Sequence, residues 1–269
     1  MYNYLELVSD LMIEGEEKDD RTGVGTNSLF GKSLEFDLRQ GFPLLTVKRL
    51  ASRFIFEELM WFLRGETDAR ILQDKGVTIW DEWVLADGTI GPGYGHQMRN
   101  FAGVDQLALF IDGIENNPDS RRHLVTLWNP ADIGKMALPP CHGVVIQAYC
   151  HSDGGLSLQM YQRSADVFLG VPYNIASYAF LLEMLARAVG REARELKLVF
   201  GDVHLYHNHF DAAAEMLGRT PKDLPKLIIN RPGRQPGECS TDWLVGMRWD
   251  DVEITGYHPH PSIKAPVAV

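Results

Sequence analysis

Residues 174–206, NIASYAFLLEMLARAVGREARELKLVFGDVHLY, set the expected fold class. In the first half, apolar residues recur at helical spacing before Gly190, which predicts a long helix at the centre of the molecule. The residues that carry this spacing are Ile175, Tyr178, Ala179, Leu182, Leu185 and Val189. The second half, ELKLVFGDVHLY at 195–206, is rich in apolar and aromatic residues, which is typical of a strand.

The segments before this stretch extend the pattern. LASRFIFEELMWFLR at 50–64 predicts a buried helix that ends at Gly65, with Glu58 interrupting its apolar face. GVDQLALFIDGIENNPDS at 103–120 predicts a third helix, which an Asn-Pro turn closes. Three further segments predict strands: RHLVTLWN at 122–129, HGVVIQAYC at 142–150 and GLSLQMYQRS at 155–164.

Strands and helices do not alternate strictly along the chain. This order favours an α+β fold over a doubly wound one. We expect one catalytic domain over residues 1–269, with a mixed or antiparallel sheet and helices packed on one face. The other face then needs a cover, and we expect it to lie at a dimer interface.

The composition is that of an ordinary globular enzyme. The chain has 269 residues, of which 45% are apolar and 23% charged. No apolar run approaches the roughly 18 residues of a membrane span, and the opening segment lacks the basic flank of a secretory signal. We therefore expect a cytoplasmic protein that does not bind membranes. The net charge of −10 disfavours nucleic acid as the main ligand, although a local cationic pocket for a small anion remains possible.

The three cysteines, at positions 141, 150 and 239, are an odd number without the spacing of metal ligands, which argues against a disulfide framework and a zinc site. Cys141 follows Pro139 and Pro140, which fix the backbone and remove two amide donors. The segment therefore suits either a rigidly presented thiol or the start of a buried strand. His142 is not its general base, because neighbouring residues on an extended segment point to opposite faces.

Four arginines lie in segments that suit an anion. Arg21 opens a Gly- and Thr-rich loop, Arg121 and Arg122 follow a turn, and Arg163 precedes the hydroxyl of Ser164. Each arginine is either an ordinary solvated side chain or part of a grip on a phosphomonoester. If Arg163 lies near Cys141, its charge favours the thiolate over the thiol.

Other side chains also allow two interpretations. Glu58 serves a proton relay or a buried helix-to-loop hydrogen bond. Trp80 and Trp83, in TIWDEW, stack on a conjugated ring or fill the core. Asn174 caps a helix or reads the edge of a pyrimidine. The three histidines of GDVHLYHNH have no nearby cysteine or carboxylate that completes a familiar zinc site, so we expect no metal.

Nine ordered motifs resemble the folate-dependent thymidylate synthases over essentially the whole chain. These motifs are DRTGVGT, GFPLLTVK, EELMWFL, TIWDEW, NPDSRR, MALPPCH, YQRSADVFLGVPYNIASYA, GDVHLY and the terminal HPHPSIKAPVAV. A chance match to nine motifs in order is implausible. The resemblance implies that Cys141 adds to carbon 6 of the uracil of dUMP, and that carbon 5 then attacks the methylene of methylenetetrahydrofolate.

The same resemblance implies a role for each candidate residue. Glu58 would handle protons at the uracil carbonyl, and Tyr94 would lie near the proton lost from carbon 5. The nucleotide would be held by Arg21, Arg163, Ser164, Asp166, Asn174, His204 and Tyr206, with Arg121 and Arg122 coming from the other subunit of a homodimer. The folate would be held by Lys48, Trp80, Trp83, Asp166, Gly170, Tyr173, Ala268 and Val269. No metal takes part.

The chain departs from the family pattern near these pockets. Met98 stands where the family typically has tryptophan, Ala51 stands where histidine is common, and the usual aromatic run after Cys141 is missing. Ala165 occurs in some members and removes no known role. We expect reductive methylation of dUMP to dTMP; the alternative is a hydroxymethylase that adds water to the same methylene. A regulatory RNA-binding or structural homologue would show a damaged site, and none of the catalytic residues is missing.

Overall fold

A computed structural model describes residues 1–267 of the chain. Ala268 and Val269, which the resemblance assigns to the folate site, lie outside the described residues. The helices are α1 Tyr2–Glu14, α2 Ser52–Leu63, α3 Arg70–Gln73, α4 Tyr94–Asn100, α5 Gln106–Asn116, α6 Gly170–Ala188, α7 Phe210–Leu217 and α8 Ser240–Val245. The strands are β1 Glu16–Lys18, β2 Thr26–Phe30, β3 Ser33–Asp37, β4 Leu124–Val125, β5 Val145–Cys150, β6 Gly155–Asp166, β7 Glu192–Tyr206, β8 Lys226–Ile229 and β9 Val252–Thr255.

The main sheet is mixed. Its strand order is β1-β2-β7-β6-β5-β4, and β3 also pairs with β7. Strands β6 and β7 run parallel, whereas the other pairs of this sheet are antiparallel. Strands β8 and β9 form a separate antiparallel ribbon. The predicted single-domain α+β fold with a mixed sheet and packed helices is confirmed.

Helix α6 is the centre of the core, as its apolar sequence predicts. It packs on β6 and β7 and contacts α2 and α8, and nearly every residue from Val171 to Ala188 is buried. A helix that is apolar on all sides needs such cover. The helix begins at Gly170, four residues before the predicted start at Asn174, so Asn174 is not its cap. Pro172 is compatible with the first turn because amides there have no intrahelical acceptor.

Helix α2 agrees with its predicted bounds. Gly65 follows it with φ of +80°, a left-handed conformation that favours glycine. Glu58 is buried on its apolar face, whereas Glu57 is less buried and pairs with Lys75 at 2.6 Å. The strand predicted at 122–129 is wrong in extent, since only Leu124–Val125 pairs with β5. After these residues the amide of Thr126 turns to the side chain of Gln106 instead.

The strand register brings several polar residues to one end of the sheet. Ser164 lies beside Asp202, and Asp166 lies beside His204, because β6 and β7 are parallel. Tyr206 pairs with Thr26 at the start of β2. The start of α6 and the loop before β5 reach the same end, which positions the candidate site. Within residues 1–267, no helix combines the length and apolarity needed to cross a membrane.

The sheet face away from α6 is more open in the single chain. Side chains on this face alternate with the core residues of β5 and β6. Tyr149 and Gln159 are exposed there, next to buried Ala148 and Leu158. This face is where the sequence predicts a second subunit.

Candidate active site

Cys141 lies in a loop that Arg163 holds in place. The Arg163 amide donates to the Cys141 carbonyl at 2.9 Å, so the loop is tied to the end of β6. The Arg163 guanidinium also donates to the carbonyls of Pro139 and Pro140, at 3.0 and 2.9 Å. Arg163 therefore sets the position of the thiol, a role that the sequence does not reveal.

Tyr94 contacts the Cys141 thiol through its hydroxyl. The Cys141 amide donates to the Tyr94 hydroxyl at 2.9 Å, and that hydroxyl lies 3.4 Å from the Cys141 Sγ. Burial raises the pKa of the Cys141 thiol, while Tyr94 and the charge of Arg163 lower it by less. Arg163 thus acts in the expected direction, but burial outweighs it. In the single chain, burial therefore favours the neutral thiol over the thiolate.

His142 belongs to a different hydrogen-bond network. Its Nδ1 lies 2.9 Å from the Tyr178 hydroxyl, and its ring packs 4.7 Å from the ring of Tyr94. Burial lowers the pKa of His142 to about 4, so the ring is neutral near pH 7. Among residues 1–267, the His142 ring makes no hydrogen bond to the Cys141 thiol, so it is not placed to act as a general base.

A buried carboxyl and a buried indole lie beside Tyr94 and are hydrogen-bonded to each other. The Trp80 Nε1 donates to Glu58 Oε1 at 2.8 Å. Burial raises the pKa of Glu58 to about 7, although the bond from Trp80 lowers it in part. The Trp80 ring also contacts the rings of Trp61, Phe62, Trp83 and Tyr94. Glu58 is therefore able to hold or release a proton near neutral pH.

Asn174 is anchored by Gln162, which the sequence analysis missed. The Gln162 Nε2 donates to Asn174 Oδ1 at 3.0 Å, and both side chains are buried. Among residues 1–267, the Gln162 Oε1 has no hydrogen-bond partner. A signal was present in β6, where Gln162 continues the buried alternation of Leu158 and Met160. A polar residue on a core-facing position of a strand indicates a specific partner.

His204 and Tyr206 lie together at the end of β7. The His204 Nδ1 is 3.1 Å from Asp202 Oδ1, which also accepts the Ser28 hydroxyl at 2.8 Å. The carboxylate fixes Nδ1 as the protonated nitrogen and leaves Nε2 of a neutral ring as an acceptor. Asp202 was also missed by the sequence analysis.

The other histidines of GDVHLYHNH separate rather than cluster. The His207 ring bonds to Asn27, and the His209 ring bonds to the carbonyl of Pro266. Within residues 1–267, no three His, Cys, Asp or Glu side chains form a group that could hold a metal ion.

The loop after Arg21 differs from its predicted role. A Gly- and Thr-rich loop can point its amides at an anion, but here the Asp20 carboxylate accepts the amides of Thr22 and Gly25, both at 2.8 Å. The amide of Gly23 bonds to the Asp20 carbonyl. The loop is satisfied internally because an aspartate precedes it, so only the exposed side chain of Arg21 is free to reach outward. Arg121 and Arg122 are likewise exposed, just before β4.

Four of the predicted folate residues lie at the start of α6: Lys48, Asp166, Gly170 and Tyr173. Lys48 is buried, donates to the Phe168 carbonyl and lies 3.7 Å from the centre of that ring. Burial lowers its pKa to about 8, opposed by the charge of Asp166. Gly170, Tyr173 and Trp83 are half-buried. The predicted folate residues thus include the cation of Lys48, the carboxylate of Asp166 and the flat rings of Tyr173 and Trp83.

The two departures from the expected pattern differ in position. Met98 is 4% exposed and part of the core, so it leaves no opening to solvent at that point. Ala51 is exposed at the residue before α2.

The arrangement combines a loop-held thiol, a buried carboxyl whose pKa is raised to about 7, and a group of polar and cationic side chains at one end of the sheet. Comparison with known families agrees with it. The family model described as thymidylate synthase matches residues 2–269. Since this match covers nearly the whole chain, the protein belongs to the thymidylate synthase family.

Proposed function

We propose that this protein converts dUMP to dTMP, with methylenetetrahydrofolate as donor of the carbon and the hydride. Family membership makes the chain a one-carbon transferase that uses dUMP and methylenetetrahydrofolate. The finer assignment to dTMP, and the role of each residue, rest on the site itself. We further propose that residues 1–269 act as one catalytic domain.

Cys141 is the nucleophile. Its thiolate adds to carbon 6 of the uracil, which makes carbon 5 nucleophilic. The position that Arg163 gives to the Cys141 loop supports this role, because the nucleophile must be held at a fixed distance from the ring. Tyr94 lies 3.4 Å from the sulfur, where its hydroxyl can relay the proton that leaves carbon 5.

The phosphate is bound by cationic and hydroxyl groups. Arg163 and Ser164 reach it from the end of β6, and Arg21 reaches it from the loop before β2. Arg121 and Arg122 complete this grip from the second subunit of a homodimer. Their exposed positions in the single chain support a role at an interface. Arginine suits this role because its planar donors match the phosphate oxygens.

The nucleoside is read by Asn174, His204 and Tyr206. The Asn174 amide can accept from the uracil N3–H and donate to the carbonyl beside it. The His204 Nε2, left as an acceptor by Asp202, can receive the hydrogen bond of the deoxyribose hydroxyl. These contacts require no charged group next to the neutral base.

Glu58 handles protons at the uracil carbonyl. A pKa of about 7 lets the same carboxyl donate and accept near neutral pH. Burial is the cause of this pKa, so the effect depends on water being excluded from the pocket.

The residues present are suited to bind a folate. Lys48, Asp166, Trp80, Trp83, Gly170 and Tyr173 would hold the folate, together with Ala268 and Val269, which lie beyond the described residues. When bound, methylenetetrahydrofolate supplies the one-carbon unit and the hydride, and it is oxidised to dihydrofolate. The task of the protein is to keep water from the methylene until the hydride arrives.

The Glu58–Trp80 hydrogen bond is the observation that favours dTMP over a hydroxymethyl product. It fixes the indole as a buried wall, with 6% of its surface exposed. Met98 and Ala51 act in the other direction, since each side chain is smaller or softer than the residue that the family usually has at that position. We expect the wall to dominate.

Product analysis tests this proposal. The protein is mixed with dUMP and methylenetetrahydrofolate, absorbance follows dihydrofolate, and mass spectrometry identifies the nucleotide. We expect dTMP and dihydrofolate in equal amounts. A nucleotide heavier than dTMP by one oxygen, with no dihydrofolate, would make the protein a hydroxymethylase. No new nucleotide would reject both activities.

A further inference from the structure

The C-terminal segment is held by hydrogen bonds at three of its residues, His260, Pro261 and Pro266. The His260 amide donates to the Thr46 carbonyl at 2.8 Å. The Arg219 guanidinium donates to the Pro261 carbonyl at 2.6 Å and to the Val47 carbonyl at 2.8 Å. The His209 Nε2 donates to the Pro266 carbonyl at 2.7 Å. The third anchor lies at Pro266, two residues before Ala268 and Val269, which the resemblance assigns to the folate site.

His209 is an unusual anchor because its ring is completely buried. It precedes α7 and packs 5.5 Å from the rings of both Phe168 and Tyr206. A bond to a carbonyl requires Nε2 to be the donor. The other nitrogen, Nδ1, lies 3.9 Å from Asp166 Oδ1 and has no hydrogen-bond partner among residues 1–267.

Asp166 connects this ring to the folate site. Its Oδ1 accepts the amides of Phe168 and Leu169 at 2.9 and 3.0 Å, and these residues lead into α6. The His209 ring therefore occupies the space between the C-terminal segment and the carboxylate. If the segment moved away, the His209 ring would lose the one hydrogen-bond partner that it has among residues 1–267, and a donor without a partner behind Phe168 and Tyr206 is unfavourable.

We infer that His209 is a positioning residue that holds the C-terminal segment closed against the Asp166 side of the folate site. This inference rests on the proposed function, because it gives the closed segment its use. His209 does not touch the reacting atoms. It acts through the Pro266 carbonyl and through the space it fills next to Asp166.

Two substitutions distinguish the effect of the hydrogen bond from the effect of the imidazole ring itself. In His209→Gln, the amide nitrogen can take the place of Nε2 and keep the bond to Pro266. In His209→Asn, the shorter amide falls near the place of Nδ1 and loses that bond. Asparagine is also a favourable residue at a helix N-cap, so α7 should still form. His209→Ser is a second bond-deleting variant with the same capping property.

The first measurement is access to the C-terminal segment in the full chain without ligands. Carboxypeptidase digestion followed by mass spectrometry gives the rate at which residues 267–269 are lost. We expect His209→Asn and His209→Ser to lose them about 5-fold faster than wild type, and His209→Gln to match wild type. Thermal unfolding identifies any variant that fails to fold. The inference is then judged on the digestion rate of whichever of His209→Asn and His209→Ser is folded.

The second measurement is steady-state kinetics, which compares the KM for methylenetetrahydrofolate with the KM for dUMP. In His209→Asn we expect the KM for methylenetetrahydrofolate to rise about 5-fold, with the KM for dUMP unchanged and rescue in His209→Gln. Wild-type digestion rates in folded His209→Asn and His209→Ser would overturn the inference, as would fast digestion in His209→Gln. Failure of the proposed function is distinguishable, since it changes the product of the wild type and leaves the digestion test intact.

Discussion

The indole N–H of Trp80 donates to Glu58 Oε1 over 2.8 Å, and both side chains are buried. One bond thus joins the carboxyl proposed for proton handling to the ring proposed as the folate wall. A change in the charge of Glu58 changes the hydrogen bond that holds the Trp80 indole, and removal of the indole exposes the Glu58 carboxyl. Two predictions follow this pair.

The free energy of unfolding of the Glu58→Gln variant should fall less with rising pH than that of the wild type. Burial raises the pKa of Glu58 from 4.5 to about 7, so between these values the folded protein binds more protons than the unfolded chain. Stability from this group is complete below pH 4.5 and is lost as pH rises through 7. Relative to wild type, the free energy of unfolding of Glu58→Gln should increase by about 3 kcal/mol between pH 4.5 and 8.

Urea unfolding at several pH values measures this difference. Glu57→Gln, on the same helix but half-buried and paired with Lys75, is the matched control and should not reproduce it. Parallel stability curves for Glu58→Gln and wild type would mean that Glu58 is already ionised when folded.

Trp80→Ala should divert the product toward a hydroxymethyl nucleotide. Without the ring, water reaches the methylene and Glu58 loses a hydrogen-bond donor. We expect dTMP formation to fall by about 100-fold, with the lost flux recovered in part as the heavier nucleotide. Mass spectrometry of the products measures the ratio. A slower variant that still makes dTMP alone would show that another side chain excludes the water.

Cys141→Ser should lose turnover and keep dUMP binding. The hydroxyl forms its anion far less readily than a thiol, whereas the phosphate- and base-binding residues are untouched. We expect kcat to fall by about 1,000-fold or more. Steady-state assays and calorimetric titration with dUMP measure the two properties. Substantial remaining activity would remove Cys141 from the mechanism.

Asn174→Asp should shift base preference from uracil to cytosine. The carboxylate still accepts the hydrogen bond from Gln162, but it cannot donate to the uracil carbonyl, and it suits the amino group of cytosine. We expect dUMP affinity to fall by about tenfold and dCMP to bind more tightly than in wild type. Competition binding measures both. Equal binding of dCMP and dUMP by the wild type would contradict the role of Asn174.

A mixture of inactive Arg122→Ala and inactive Cys141→Ala should regain activity. If Arg122 serves the neighbouring subunit, each hybrid dimer contains one intact site. Random exchange should restore about a quarter of wild-type activity. Light scattering establishes the oligomeric state in parallel. A monomer, or a mixture that stays inactive after subunit exchange, would exclude the shared site.

Local sequence determined the elements that carry the fold. The spacing of apolar residues placed α2, α5 and α6, and strand composition placed β5, β6 and β7, because these periodicities follow from the geometry of each element alone. The ordered motifs also indicated the family, which the match over residues 2–269 confirms. The start of α6 and the extent of β4 were misplaced, since both depend on contacts outside their own segment.

Only the tertiary structure decided which partners the site residues have. The bond from Gln162 to Asn174 follows from a strand packing on a helix, and the bond from His209 to Pro266 joins residues that are 57 positions apart. The pKa of Cys141 was not readable from the nearby arginine, because burial has the larger effect. Sequence supplies the chemical groups, whereas distance and exclusion of water set their strength, and both arise only when distant segments pack together.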